Sequence, residues 1–197
     1  SQTRKAEFWG PVLDQIASVW DAAQEAGFDL GLLNIGGGFP AFYGEAVDAP
    51  TFYAADVMRQ VRARFGDVAV IAEPGRGMVA EAGHIVAEVL LAARKSPLDL
   101  HRWVYLDIGK FSGLAETMDE SIRYQIATPH DGLPGGPCVL AGPSCDSADV
   151  LYEKRPIELP LALRPGDRVA IRAAGAYTTT YSSIGFNGFP PLDCVCI

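Results

Sequence analysis

The chain has 197 residues, 49% of them apolar, with 16 lysines and arginines against 24 aspartates and glutamates and a formal net charge of −8. That apolar content suffices for the core of one large or two small domains and excludes a disordered chain. The acidic balance, with no lysine or arginine cluster, argues against nucleic acid and anionic membrane and leaves a small molecule as the better ligand class.

No apolar run approaches the roughly 20 residues of a spanning helix, and the opening Ser1-Gln2-Thr3-Arg4-Lys5 lacks the apolar segment of a signal peptide. The four cysteines, Cys138, Cys145, Cys194 and Cys196, have neither zinc-type pairing nor the density of a disulfide scaffold. A cytoplasmic chain with reduced thiols and no metal is expected. With no initiator methionine and no strand ahead of the first helix, a preceding segment is expected as well.

Between Lys5 and Ala26, residues Leu13, Ile16, Trp20 and Ala23 recur at three and four positions, with Pro11 in an early turn and Gly27 as a stop, which predicts an amphipathic helix. Leu30 to Ile35 is a continuous apolar run of buried parallel-strand type. Pro50 to Phe65 is a second helix with Ala54, Met58, Val61 and Phe65 inward, and Val68 to Ala72 is the next strand. Strand, helix, strand in that order predicts the closing part of an α/β barrel.

After Gly83 the pattern changes. Ile85 to Ala93 and Trp103 to Ile108 read as long strands, followed by Cys138 to Leu140, Ile157 to Leu161 and Arg168 to Ala173, with Arg164-Pro165-Gly166-Asp167 as a hairpin-type turn. Phe111 to Glu120 has room for one short helix, and Thr128 to Pro137 reads as an exposed loop. The expected fold is α/β plus all-β: the C-terminal part of a (β/α)8 TIM barrel over residues 1–83, then an antiparallel β-barrel or sandwich over 84–197.

The first strand runs into Gly36-Gly37-Gly38, and three glycines allow positive φ, close backbone approach and a concave nest of N–H groups suited to phosphate. A tight turn with no ligand is the plainer alternative. The second strand, however, also runs into a polar signature, Glu73-Pro74-Gly75-Arg76-Gly77. Parallel strands joined by a crossover helix place both loops at one sheet edge, so a nest, a carboxylate and an arginine would face one pocket. In the β region, Gly142-Pro143-Ser144-Cys145-Asp146-Ser147-Ala148-Asp149 puts a cysteine beside a carboxylate, an arrangement that on its own is more often structural. Gly175 to Phe189 mixes hydroxyls with aromatics and reads as a packed loop.

Together and in this order, Asn34 to Pro40, Glu73 to Arg76, Gly142 to Ser147 and Gly175-Ala176-Tyr177 resemble the fold-type III pyridoxal-phosphate decarboxylases, and among them the ornithine and lysine decarboxylase group. The resemblance covers nearly the whole chain. It implies a head-to-tail homodimer with shared sites and pyridoxal 5'-phosphate as cofactor, its phosphate on the Gly36, Gly37 and Gly38 N–H groups with Gly75, Arg76, the Tyr177 hydroxyl and Ser1. It implies that Glu73 pairs with the pyridine nitrogen, as a carboxylate that favours the protonated ring would. Cys145 would return a proton to the α-carbon, Asp146 would bind a distal ammonium in the partner subunit's site, and Phe186 would line the substrate channel. Gln125 stands where the eukaryotic enzymes carry a second aspartate, which bears on substrate length. The lysine that forms a Schiff base with the cofactor belongs to the N-terminal half of the family's barrel. Lys5, Lys95, Lys110 and Lys154 read as solvated or turn residues, and His84, His101 and His130 as structural.

The expected function is decarboxylation of ornithine to putrescine in polyamine biosynthesis, completed by the N-terminal half of the enzyme. Lysine, arginine, carboxynorspermidine or diaminopimelate are the alternative substrates. A catalytically dead decarboxylase-like protein that binds a regulatory partner is the alternative of another class.

Overall fold

The computed structural model describes residues 2–197, so Ser1 lies outside the described residues. Two compact units divide between Val79 and Ala80.

The first unit opens with a 3-10 turn, Ala6–Phe8, that leads into helix α1, Trp9–Glu25. Gly27, at φ 91°, lets the chain turn back, so that the Phe28 N–H reaches Ala23 O and the Gly27 N–H reaches Gln24 O. This pair of bonds satisfies carbonyls the helix end would otherwise leave open. Strand β1, Leu32–Asn34, pairs in parallel with β2, Ala69–Ile71, and helix α2, Pro50–Phe65, makes the crossover with its proline in the first turn. A short helix α3, Gly75–Val79, follows β2 where the sequence reads as a loop.

Both longer helices cover one face of the pair. Ala6, Trp9 and Leu13 meet Tyr53, Val57 and Val61 over Leu33 and Ile35. Of the expected inward residues of α2, Val61 is fully buried and Phe65 packs against the core, while Tyr53 and Val57 are buried in place of the half-buried Ala54 and Met58, the Tyr53 hydroxyl accepting from Trp9 Nε1 at 2.8 Å. The other face of β1 and β2 stays exposed at Leu32 (53%) and Ile71 (45%).

The second unit is a seven-stranded mixed sheet. Its strands are β3, Ile85–Ala93; β4, Arg102–Leu106; β5, Ile126–Ala127; β6, Gly135–Ala141; β7, Val150–Leu151; β8, Ile157–Pro160; and β9, Arg168–Ile171. The order is β5-β9-β3-β4-β6-β7, with β8 also on β6. The first half of β3 pairs with β9 and the second with β4, and the register shifts between Val89 and Leu91. A bulge of this kind bends a strand and lets one strand serve two partners.

All ladders are antiparallel except β4 with β6, where the long intervening chain returns in the same direction. The expected loop ends earlier than the sequence suggests: Gly135, Gly136 and Pro137 belong to β6, opposite Pro160, Leu159 and Glu158. A β-carbon on Gly136 would stand 2.9 Å from Leu161 Cδ2, so this glycine serves close strand packing. The Arg164–Asp167 turn forms, with the Arg164 N–H donating to Asp167 Oδ2 at 2.9 Å, although the strands it joins pair with β6 and β3 rather than each other. The expected short helix is a kinked 3-10 segment, Ala115–Glu120.

Glu120, 7% exposed, anchors that segment. Its Oε1 accepts the Lys154 and Arg155 N–H groups at 2.7 and 3.1 Å, and its Oε2 accepts from Arg155 Nε and the Arg123 guanidinium. Burial pushes the carboxyl up, but these backbone and guanidinium bonds outweigh it and hold the group below its usual range. Beside it, Tyr152 accepts from the Tyr124 N–H, and burial pushes its hydroxyl up to about 12.

Candidate functional site

In the first unit the predicted residues fall into one cluster, at the C-terminal ends of β1 and β2. Parallel pairing in register brings Asn34 opposite Ile71, two residues before Glu73. The Glu73 N–H donates to Gly36 O at 2.8 Å, and Asn34 Nδ2 donates to Glu73 Oε1 at 2.7 Å. Asn34 Oδ1 accepts the Gly36 N–H at 2.8 Å, so one side chain ties the carboxylate to the glycine turn. Gly36 and Gly38 sit at φ 71° and 88°, and a β-carbon on Gly37 would stand 2.9 Å from Glu73 O. Side chains are excluded there by backbone shape and by close approach.

Gly75 and Arg76 open α3. Arg76 is 5% exposed, donates to the Tyr43 hydroxyl at 3.1 Å and lies 5.8 Å from the centre of the Tyr43 ring. Gly77 lies against Phe39, where a β-carbon would come within 2.9 Å, and so α3 is held next to the segment that follows the triple glycine. The cluster offers backbone donors on a turn free of side chains, a buried guanidinium and an exposed carboxylate. That donor set fits a phosphorylated, cationic heterocycle such as pyridoxal phosphate. An adjoining cavity of about 270 Å³, lined by Phe39, Tyr53, Val57, Met58, Pro74 and Met78 with Asp48 as its charged residue, is mainly apolar and does not suit an anion.

In the second unit Cys145, Asp146 and Phe186 come together. The Gly142–Asp149 segment turns between β6 and β7, with the exposed Cys145 at its tip at φ 60°. A residue with a β-carbon takes that conformation at a cost of about 1 kcal/mol or more, and such strain persists where surroundings over-determine it. Asp146 is exposed, and its Oδ1 accepts the Ala148 N–H at 2.8 Å. Asn187 Nδ2 donates to Ser144 O at 2.8 Å, and the Phe186 ring packs on Phe111, tilted by 34° with centroids 4.5 Å apart. The aromatic segment is thereby fastened to the cysteine turn.

Tyr177 is 37% exposed, at φ 56°, and its ring lies 5.4 Å from that of Tyr181. It follows a stretch pinned by the Ala174 N–H to Gly83 O and the Gly175 N–H to Ala80 O, both at 2.8 Å. Gln125 is exposed directly before β5, and its carbonyl accepts the Arg172 N–H. Lys95 Nζ sits 3.2 Å from the Trp103 ring centre, and the ring of His130 pairs with Asp167 at 2.8 Å, both in structural settings. Sequence reasoning gave no role to Asn34, Tyr43 or Asp149. Asn34 and Asp149 both lie inside polar motifs of the sequence, and Asn34 could have been found from its parity on β1, whereas nothing local marks Tyr43.

Comparison with known proteins identifies the arrangement. A family model described as pyridoxal-dependent decarboxylase, C-terminal sheet domain, matches residues 12–175. The chain is 35% identical over 173 residues to the lysine/ornithine decarboxylase of Selenomonas ruminantium, covering 87% of this chain and 42% of that protein. It is 29% identical over 180 residues to a diaminopimelate decarboxylase of Helicobacter pylori, with 90% and 42% covered. The crystal structure of lysine/ornithine decarboxylase from Vibrio vulnificus, complexed with cadaverine, superposes with a TM-score of 0.81 at 34% identity, over 97% of this chain and 51% of that one. The chain spans about half the length, or less, of the relatives it matches.

Proposed function

Because the chain belongs to the pyridoxal-dependent decarboxylases, we propose that the whole protein uses pyridoxal 5'-phosphate to remove the α-carboxyl group of a basic amino acid, ornithine first and lysine next. The observation that carries this reading is the tie between Glu73 and the triple-glycine turn through Asn34, since it sets a carboxylate and an anion cradle on one edge.

The cofactor, when bound, supplies a sink for the electron pair left by departing CO₂. By the family resemblance its phosphate would be held by the Gly37 and Gly38 N–H groups, with Gly75, Arg76, the Tyr177 hydroxyl and Ser1 as further contacts. Gly36 shapes the turn, its own N–H donating to Asn34. Glu73, steadied by Asn34 and Gly36, pairs with the ring nitrogen and favours its protonated form. Cys145 returns a proton to the α-carbon, and Asp146 neutralises the distal ammonium of the substrate. Phe186 lines the channel and Gln125 bears on the length accepted. In a head-to-tail homodimer Cys145 and Asp146 would serve the partner subunit's site, and the N-terminal half of the barrel would provide the lysine. An exposed aspartate favours a substrate with a distal cation over diaminopimelate, whose far end also carries a carboxylate.

The test is titration of the full-length protein with pyridoxal phosphate, followed by CO₂ release from ornithine, lysine, arginine and diaminopimelate. Bound-cofactor absorbance and kcat/KM highest for ornithine or lysine are expected. Absence of both signals would favour a regulatory binding protein, and a preference for diaminopimelate would overturn the substrate assignment.

A further inference from the structure

We propose that Asp149 is the positioning residue for Cys145: its buried carboxylate locks the turn that carries the thiol and so fixes where the proton is delivered. This rests on the assignment of proton return to Cys145 made above.

Asp149 is 2% exposed, and a buried carboxylate must have its lone pairs met. Its Oδ1 accepts the Lys110 N–H at 2.7 Å, and its Oδ2 accepts the Ser144 hydroxyl at 2.6 Å and the Ser144 N–H at 3.2 Å. The main chain of the same residue closes the turn, its N–H donating to Asp146 O at 3.0 Å and its carbonyl accepting the Gly142 N–H at 2.9 Å. Ser144 is thus held by Asp149 on one side and by Asn187 Nδ2 on the other. Cys145 comes next and keeps its left-handed φ of 60°.

The slot around the carboxylate is tight. A β-carbon on either Gly109 or Gly142 would overlap the Asp149 carboxyl oxygens. Two aspartates three residues apart therefore divide the work: Asp146 faces solvent, and Asp149 holds the turn. Three donors converge on Asp149, so an asparagine there, with one acceptor oxygen, would set an NH₂ against an N–H or O–H donor.

The test uses the full-length, cofactor-loaded protein and the variants D149N, S144A and C145A, with E120Q as a control destabilised at a separate buried network. One readout is the alkylation rate of Cys145 by iodoacetamide, followed by peptide mapping. The other is the fraction of turnovers in which the proton goes to the cofactor carbon instead of the substrate α-carbon. In those turnovers CO₂ is lost and water cleaves the bond between the substrate carbon and the amino nitrogen, so that the nitrogen stays on the cofactor, whose carbonyl carbon is reduced to the amine of pyridoxamine phosphate, and the substrate carbon leaves as an aldehyde carrying the water oxygen. D149N is expected to raise that fraction and to shift the alkylation rate, each at least threefold, with cofactor affinity within twofold of wild type. S144A is expected to move both the same way by less, and it decides the matter if D149N does not fold. Wild-type values in D149N or S144A, while C145A raises the aldehyde fraction, would overturn the role of Asp149 and leave that of Cys145 intact. If E120Q moves both readouts as much as D149N, the effect is general loosening and the proposal falls. A wild-type aldehyde fraction in C145A would overturn the underlying reading itself.

Discussion

The amide of Asn34 donates to Glu73 Oε1 at 2.7 Å, joining the last residue of one parallel strand to the carboxylate just beyond the other. The same side chain accepts the Gly36 N–H, so the turn and the carboxylate move as one body. A hydrogen bond from a neutral amide leaves Glu73 able to meet a cation, whereas an anion in the same place would repel it.

Replacing Asn34 by aspartate is therefore expected to weaken pyridoxal-phosphate binding by about tenfold, which corresponds to about 1.4 kcal/mol, with N34A giving a smaller loss. Two carboxylates would face each other at hydrogen-bond distance, and the exposure of the pair keeps the effect modest. Fluorescence titration of the full-length protein measures it. Equal affinity in N34D and wild type at pH 7 would show that Asn34 does not govern the carboxylate.

Gly83 and Gly175 meet backbone to backbone, and a β-carbon on Gly83 would stand 2.5 Å from Gly175 Cα. G83A must push the 174–177 segment outward and displace Tyr177. A cost of about 1–3 kcal/mol is expected from overpacking, with cofactor affinity falling at least as far as in Y177F. Thermal melts and cofactor titration of both variants check the two parts separately. A G83A protein with unchanged affinity would detach Tyr177 from the cofactor.

Local pattern was enough where the chain obeys one period. Pro50–Phe65 and Ile85–Ala93 have the bounds read from the sequence, because a proline start and a β-branched run mark them without help from tertiary contacts. The strand, helix, strand order likewise made the nearness of Glu73 to the glycine turn legible, since a parallel crossover sets both loops at one sheet edge. What escaped was set from a distance. The parallel pairing of β4 with β6 depends on how a long connection returns. Asp149 sits in a polar run that resembles a solvated turn, and its burial comes from Gly109 and Lys110 at the end of another strand. The resemblance carried by four short motifs reached the family because their order and spacing are rarer than any one of them.

Tyr53 tests the packing of the first unit. Its hydroxyl accepts from Trp9 Nε1 and donates to Thr3 O, in a core otherwise apolar. Y53F leaves the buried indole N–H without that acceptor and is expected to lower the stability of the full-length protein by about 1–3 kcal/mol. Burial raises the Tyr53 pKa above its ordinary value, so the unfolded chain ionises first as pH rises. The contribution is therefore complete below about pH 10 and is lost as pH climbs through the raised folded value. Denaturant melts at pH 8 and pH 10.5 should show a gap between wild type and Y53F that narrows at the higher pH. A constant gap would place the effect in shape alone.

Glu120 gives the opposite limb. Its folded pKa is depressed by the Arg155 and Lys154 N–H groups and by two guanidinium groups, despite the opposing push of burial. The unfolded carboxyl takes up its proton first as pH falls, so the stabilisation is complete above about pH 4.3 and disappears as pH drops through the lower folded value. E120Q keeps the size of the side chain but turns an NH₂ toward Arg123 and Arg155, donors that the carboxylate had satisfied. A loss of about 2–4 kcal/mol at pH 7 is expected, visible as a lower Tm. That difference should shrink between pH 5 and pH 3, where wild type loses the charge that the variant never had. A Tm gap of the same size at pH 3 and pH 7 would mean that the charge of Glu120 adds nothing to the second unit and that its fit in the Arg123–Arg155 pocket accounts for the whole effect.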